Sequence, residues 1–455
     1  MLKKGLCIIN WLFQGLLLSF IFLFIQTSQL RAEPTYTLTL PVIDLPYNNE
    51  VNLQNPSMAQ SLNFTKGFYQ TAHYALEEHF GRGEKKAFFS IIAFDVFSTW
   101  LPFSNSWMHE EWHRAVMWQY GIDSYNEVYE MEFLAETIAV SDVTDENLVT
   151  LKKEHPQDLI RLHTAGLESQ NQLNLAIEKD YFFHKTSTYD TFLLLSNSVN
   201  NSAYLYTCAS NESNAITSDI LNDEGSNIRD RDFTGLDCNA WVYDLFRPDE
   251  PYTDRGIHPS GVGINRYITY SKLTTEEKQF LRTQHYLSYL NFVDPFLINK
   301  RWFNVNSSLF ESLLKVNANL KHYLTPFGYS IDAHLFLNTH QYKILFTFHN
   351  YSNKVKYFQG ATLNVISTPK KLGSLFTETD FSVSLWNQPK DLSFTTKDRE
   401  WGGRVSLKSA QQWNKSFHTF AELAVKTNGW YAGDLYLSNN TNFIFGFDIP
   451  IGESN

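Results

Sequence analysis

Two hydrophobic periodicities divide the chain. From about Leu62 to Tyr206, apolar residues recur at three- and four-residue spacing, which predicts amphipathic helices. From about Tyr323 onward, apolar and polar residues alternate in about eight runs separated by turn signals, which predicts antiparallel strands. We therefore predict an α+β multi-domain chain, with an N-terminal α-helical domain followed by a C-terminal antiparallel β-barrel of about eight strands.

Changes in composition place the boundaries between the predicted segments. Four prolines interrupt the chain before the first helical pattern, and a later stretch rich in Asn, Asp, Ser and Gly has loop composition. Helical spacing returns behind a capping box that runs from Thr274 to Glu277. The predicted segments are a secretory signal (1–32), an extended lead-in (33–65), an α-helical domain (66–208), a polar loop region (209–271), a helical connector (272–320) and the β-barrel (321–455).

The N-terminus has the features of a bacterial export signal. Lys3 and Lys4 precede an apolar stretch that runs from Leu6 to Ile25, and Ala32 stands before an acidic residue. The apolar stretch is also long enough for an uncleaved membrane anchor, and this alternative stays open. We expect export in either case.

The alternating region has features beyond strand periodicity. Its runs are apolar on one face and polar or small on the other, as in Ile331–Leu337, and aromatic residues such as Trp401 and Trp413 fall near their ends. The region resembles a small outer-membrane β-barrel, and this resemblance implies a place in the outer membrane of a Gram-negative bacterium. A soluble barrel or sandwich is the alternative, and the non-aromatic ending Ile449–Asn455 favours it.

Composition and charge exclude several classes of protein. With 43% hydrophobic and 19% charged residues, the chain is not intrinsically disordered. The 37 basic and 48 acidic residues give a net charge of −11, so we expect no nucleic-acid partner. Cys7 lies in the predicted signal, which leaves Cys208 and Cys238. In an exported protein this pair predicts a disulfide, with two free thiols as the alternative.

One motif carries recognisable chemistry. His109-Glu110-Glu111-Trp112-His113 matches the pattern H-E-x-x-H. Residues four apart share a helix face, so both imidazoles can reach one ion while Glu110 activates a bound water. The motif resembles that of the zincin zinc metallopeptidases. The resemblance implies Zn²⁺ as the cofactor, His109 and His113 as ligands, Glu110 as general base and a peptide or protein substrate.

Not every feature of the motif favours a metal site. Glu111 departs from the zincin pattern, which usually keeps both middle positions uncharged. A solvated helix with incidental histidines is therefore the alternative.

A third ligand has to come from elsewhere, because no further histidine follows at the required spacing. The resemblance then favours the gluzincin-like subclass, which takes a Glu from a later helix. We select Glu168, because the small residues Ala165 and Gly166 beside it allow close helix approach. The competing candidates are Glu127, Glu130, Glu132, Glu136 and His163.

Two further groups of residues are weaker candidates. His258 lies in a loop with Gly256, Gly261 and Gly263, and we predict that it polarises the oxyanion of the reaction. A turn histidine without a function is the commoner case. Asp230, Asp232 and Asp237 could bind calcium, although their spacing does not follow the EF-hand loop.

These observations lead to one main hypothesis and two alternatives. The main hypothesis is an exported zinc-dependent hydrolase, and a metallopeptidase is the favoured kind. Its C-terminal β-barrel would anchor it at the outer membrane. The first alternative is a non-enzymatic outer-membrane β-barrel (a channel, adhesin or scaffold) whose helical domain plugs the lumen or docks a partner. The second is a soluble periplasmic protein with a sugar- or peptide-binding β domain.

Overall fold

The computed structural model describes residues 36–47, 54–130, 138–184, 186–187, 189–307, 312–339, 342–366, 378–414 and 416–452. The predicted signal at 1–32 lies outside these residues. The described chain is a mixed α+β fold, as the two periodicities predict.

Helices fill most of the N-terminal two thirds of the chain. Their bounds are α1 (Met58–Phe80), α2 (Lys85–Phe97), α3 (Asn105–Trp118), α4 (Asp145–Glu154), α5 (Pro156–Phe183), α6 (Asp190–Cys208), α7 (Glu212–Asp223), α8 (Asp237–Phe246) and α9 (Thr275–Ser288). The sequence signals at their ends explain several of these bounds. Pro156 opens α5, where its missing N–H costs nothing, and Thr274 and Glu277 form the reciprocal capping box of α9.

The strands are short near the middle of the chain and long toward its end. Their bounds are β1 (Tyr36–Leu45), β2 (Tyr125–Asn126), β3 (Val140–Ser141), β4 (Phe303–Ser307), β5 (Ser312–Thr325), β6 (Gly328–Asn338), β7 (Lys343–Ser352), β8 (Tyr357–Ile366), β9 (Glu378–Pro389), β10 (Arg399–Asn414), β11 (Phe417–Lys426) and β12 (Asn440–Ile451). β2 and β3 form a small separate sheet beside α3.

The large sheet corrects the prediction of a closed barrel of about eight strands. It has ten antiparallel strands in the order β1-β12-β11-β10-β9-β8-β7-β6-β5-β4, and its edge strands β1 and β4 do not pair in the described chain. The additional strands come from segments outside the long alternating region. Helices α1 and α5 pack against β1 and β5, so the helical domain fills the inner side of the sheet between its two ends.

The sheet buries its polar side chains and exposes its apolar side chains, which is the reverse of an ordinary soluble sheet. In β6 the buried side chains include Ser330, Asp332 and His334, whereas the alternate, outward positions are apolar. The same alternation continues in the neighbouring strands. We call the exposed apolar side chains the outer face of the sheet: Leu335, Phe346, Phe348, Leu363, Phe381, Leu385, Val405, Leu407, Leu423, Val425 and Phe443.

Hydrogen bonds join the buried polar side chains across the inner side of the sheet. Asp332 Oδ2 lies 2.9 Å from His349 Nδ1 as an ion-pair contact, His349 Nε2 lies 2.8 Å from Thr362 Oγ1, and Thr362 donates to Ser384 at 2.9 Å. A buried ion pair ties the sheet to α5, because Lys321 Nζ lies 2.5 Å from Glu178 Oε1. These bonds offset the cost of burying polar groups on this side.

Two further findings bear on the predicted segments. Cys208 and Cys238 form a disulfide between the end of α6 and the start of α8, which confirms the predicted pairing. Among the described residues, one helical stretch, Lys85–Trp118, is apolar and long enough to cross a membrane by length and composition, and 28% of its most apolar window is buried. The stretch turns between α2 and α3, where Phe103 has a φ of 68°.

Candidate metal centre

Helix α3 presents the two motif histidines on one face. Ser104 caps this helix, and its Oγ accepts from Trp107 N–H at 3.2 Å. The ring centroids of His109 and His113 are 5.0 Å apart, as expected for side chains one turn apart. The motif thus lies on a helix, and its two imidazoles can share a single ion.

A backbone carbonyl orients the second histidine. His113 Nδ1 lies 2.6 Å from Leu162 O, so Nδ1 carries the hydrogen and donates it. In the neutral imidazole, the lone pair of Nε2 then faces the site. Histidines that bind metals in proteins usually make this kind of bond through the other ring nitrogen.

The third member of the site is Asp237, the first residue of α8. Its Oδ2 lies 3.1 Å from His109 Nε2 and 3.4 Å from His113 Nε2. Each of the three residues offers one donor atom, and these three atoms lie within 4.8 Å of one another. In the described part of the chain, no other group of three His, Cys, Asp or Glu residues meets this condition. The sequence analysis placed Asp237 only among weak calcium candidates, so it missed this role.

Glu168 does not join the group, contrary to the sequence-based choice. It forms a buried ion pair with Arg161 and accepts from Trp430 Nε1 at 3.1 Å and Gly433 N–H at 2.8 Å. It is Gly166 that faces the site, because a Cβ there would stand within 2.5 Å of three His109 ring atoms. Glu168 is two residues further along the helix, so its side chain points about 200° away from that of Gly166 and faces the connection between β11 and β12.

The other proposed ligands also have different surroundings. His163 Nε2 lies 2.9 Å from Asp244 Oδ2, and its Nδ1 is 3.1 Å from Thr234 Oγ1. Asp232 accepts from Gly235 N–H at 2.8 Å. In the described residues Asp230 and Asp232 do not form a cation site with Asp237, and Glu127 and Glu130 do not join the histidines. Glu132 and Glu136 lie outside the described residues.

His258 is likewise absent from the group. Its Nδ1 lies 3.0 Å from Ser260 Oγ, and its Nε2 faces Glu224 Oε2 at 3.4 Å. Burial lowers the pKa of His258, so the imidazole is neutral at pH 7. Nothing in this geometry directs the ring toward the two motif histidines, and the predicted oxyanion role lacks structural support.

Glu110 is a buried carboxyl group without a partner. It is 8% exposed, and it makes no hydrogen bond or ion pair within the described residues. Burial raises the pKa of Glu110 well above its ordinary value, although the neighbouring His113 opposes this. A carboxyl group that readily holds a proton and lies beside the candidate ligands is suited to general-base and general-acid chemistry.

The three candidate ligands compensate one another's charge in the metal-free protein. Burial alone would lower the pKa of His113, but the carboxylate of Asp237 raises it to about 9. Burial lowers the pKa of His109. Burial would raise the pKa of Asp237, but His113 and His109 hold it well below its usual range. Asp237 is therefore ionised beside the two imidazoles.

Tyr204 on α6 completes the surroundings of the site. Its hydroxyl oxygen accepts from Asp237 N–H at 2.9 Å, and its ring meets the His109 ring edge-on at 6.3 Å between centroids. Tyr204 is partly exposed, and burial raises its pKa well above the ordinary value. The phenol is thus protonated, and its hydrogen can be donated to an oxygen that enters the site.

The donor set fits zinc. Two imidazole nitrogens and one carboxylate oxygen are three ligands of the types found in catalytic zinc sites, which leave a further position for water. No family model matches the chain, and neither a curated protein nor a solved structure was found to be similar to it. Support for a metal centre therefore comes from the motif and from the positions of His109, His113 and Asp237.

Proposed function

We propose that the protein is an exported zinc-dependent hydrolase, and most specifically a metallopeptidase. His109, His113 and Asp237 are the ligands in this proposal, and Glu110 is the general base. The observation that carries it is the convergence of the three donor atoms within 4.8 Å, next to the buried carboxyl group of Glu110, which makes no hydrogen bond to the described residues. In support, the carboxylate of Asp237 comes from the distant helix α8 and lies within reach of both motif histidines, where a third ligand is needed.

Each residue has a defined task in this mechanism. When bound, Zn²⁺ supplies Lewis acidity and a water of lowered pKa. The Leu162 carbonyl holds His113 in the tautomer that exposes Nε2. Glu110 accepts the proton of the attacking water at its carboxylate and later gives it to the leaving amine. Tyr204 donates its hydroxyl hydrogen to the carbonyl oxygen of the substrate as negative charge develops there.

We also propose that the outer face of the sheet contacts the hydrocarbon of the outer membrane. A soluble sandwich buries its apolar face, whereas this sheet buries its polar face and leaves residues such as Leu385 as much as 63% exposed. Apolar outward and polar inward positions are the pattern of membrane β-barrels. Trp401 and Trp413 are exposed, as aromatic residues at a membrane interface are.

A specific cavity favours a second candidate function, a non-enzymatic barrel with a helical plug. A space of about 420 Å³ lies between the sheet and helices α1 and α5. Charged side chains of both signs line it: Lys66, Lys179, Arg404, Lys408, Asp180, Glu378, Asp380, Glu422 and Asp448. So many charges require water around them, which suits a hydrated passage for polar solutes.

Hydrolysis of a peptide library by the mature protein tests the main proposal. We expect the protein to cleave peptides, and we expect a chelator to abolish this cleavage and added Zn²⁺ to restore it. The Glu110→Gln variant should still bind Zn²⁺ but cleave no peptide. Cleavage that persists at full rate in Glu110→Gln would refute the assigned role. A protein that binds no Zn²⁺ and cleaves nothing, but conducts ions in planar bilayers, would favour the second candidate.

A further inference from the structure

Helix α2 is apolar around most of its circumference, and large apolar side chains are among its exposed residues. Only Ala87, Ile91 and Asp95 of its 13 residues are buried, and they form a single narrow stripe. Phe89 is 51% and Phe97 is 53% exposed. The core helix of a soluble protein would bury these rings, so an exposed helix of this composition requires an apolar partner.

The charges of α2 lie where a membrane-bound helix would tolerate them. Asp95 turns inward, and its Oδ1 lies 2.7 Å from His73 Nε2 in the protein interior. Lys85 and Lys86 are exposed and both stand at the N-terminal end of the helix. Long basic side chains at one end of an apolar helix can reach the phosphates of lipid headgroups.

We propose that α2 and the Leu101–Phe103 segment after it insert among the acyl chains of one membrane leaflet. Thirteen residues of helix span about 20 Å, which is too short to cross a hydrocarbon core of about 30 Å. The two lysines support a lipid partner over a protein partner, because both stand at one end of the apolar helix, where anionic headgroups would meet them. This inference rests on the proposed membrane contact of the sheet and extends it to the helical domain.

The position of α2 has a consequence for the candidate metal centre. Ser104, the residue after the inserted segment, caps α3, and His109 follows within the next two turns. If α2 is held in the membrane surface, the metal-binding helix α3 is therefore held close to the membrane. The substrate class that this geometry favours is a polypeptide presented at the membrane surface.

Fluorescent probes can test the insertion directly. Single cysteines are introduced as Phe89→Cys and Phe97→Cys, labelled with an environment-sensitive dye, and reconstituted in vesicles of phosphatidylethanolamine and phosphatidylglycerol. All variants carry Cys7→Ser, and the native Cys208–Cys238 disulfide does not react with a thiol reagent. Leu385→Cys reports on the sheet, and Ser218→Cys, an exposed polar position on α7, is the matched helical control.

Nitroxide groups on the lipid acyl chains then quench the probes that touch hydrocarbon. We expect the dyes at positions 89, 97 and 385 to lose most of their emission, and the dye at 218 to keep it. Quenching at 385 without quenching at 89 and 97 would overturn the insertion of α2 and leave the sheet proposal standing. Blue-shifted but unquenched emission at 89 and 97 would identify a protein partner or a second copy, and would also overturn it.

Discussion

Gly166→Ala offers a test in which metal binding and folding are separated. The new Cβ would stand within 2.5 Å of His109 Nε2, Cδ2 and Cε1, whereas ordinary contacts begin at 3.4 Å. The closest atom, His109 Nε2, would lie at 2.2 Å, so the ring must retreat by roughly 1.2 Å, whereas zinc–ligand distances tolerate only about 0.2 Å. Removal of groups that only orient the ligands usually lowers metal affinity by about 10- to 100-fold. Because Gly166→Ala displaces a ligand itself, we expect zinc affinity to fall at least about 100-fold.

The same substitution should leave the fold intact. Alanine is favoured over glycine within a helix by about 1 kcal/mol, and the clashing atoms belong to a side chain that can rotate. Isothermal titration with Zn²⁺ and urea unfolding of the metal-free protein measure the two effects. Gly225→Ala is the matched control, because no atom lies within 4 Å of its new Cβ. Gly166→Ala protein that binds zinc with wild-type affinity would refute the reasoning, since His109 would then not be a ligand in this geometry.

Three further predictions concern single side chains. Glu110→Gln should bind zinc normally and lose hydrolysis, which parallel titration and peptide assays measure. Glu168→Gln should keep zinc but lower the free energy of unfolding by about 3–5 kcal/mol, because Arg161 loses its buried partner; an unchanged urea midpoint would contradict this. Burial lowers the pKa of His73 but two adjacent carboxylates raise it to about 10, above its unfolded value of about 6.5. Its contribution to stability should therefore decline as the pH rises from neutral to about 10, and this slope should vanish in His73→Asn.

The sequence predicted the local structure of the site but not its assembly. Four-residue spacing on a helix is a local property, so the shared face of His109 and His113 followed from the motif alone. The third ligand depends on where α8 packs relative to α3, which no local pattern specifies. Gly166 was correctly identified as a point of close helix approach. The inference from Gly166 to Glu168 failed because these two residues lie on opposite sides of α5.

The sheet shows a similar division between local and non-local information. Alternation predicted the strands, because the side-chain period of two depends on backbone geometry alone. The alternation could not show whether Leu335 or His334 faces the protein interior, because the pattern is the same whichever side of the sheet is buried. It also could not show that β1, more than 250 residues away in sequence from β12, pairs with that strand. Pairing of this kind is decided by tertiary packing, and it changed the predicted strand number.

The decisive measurement for the metal centre is the zinc content of the purified mature protein. It should be measured in the wild type, His113→Ala, Asp237→Ala and Glu168→Gln after identical purification. The account predicts about one zinc per chain in the wild type and in Glu168→Gln, and a loss of zinc in the other two variants. Absence of zinc from all four proteins, or its retention in Asp237→Ala, would contradict the proposed metal centre.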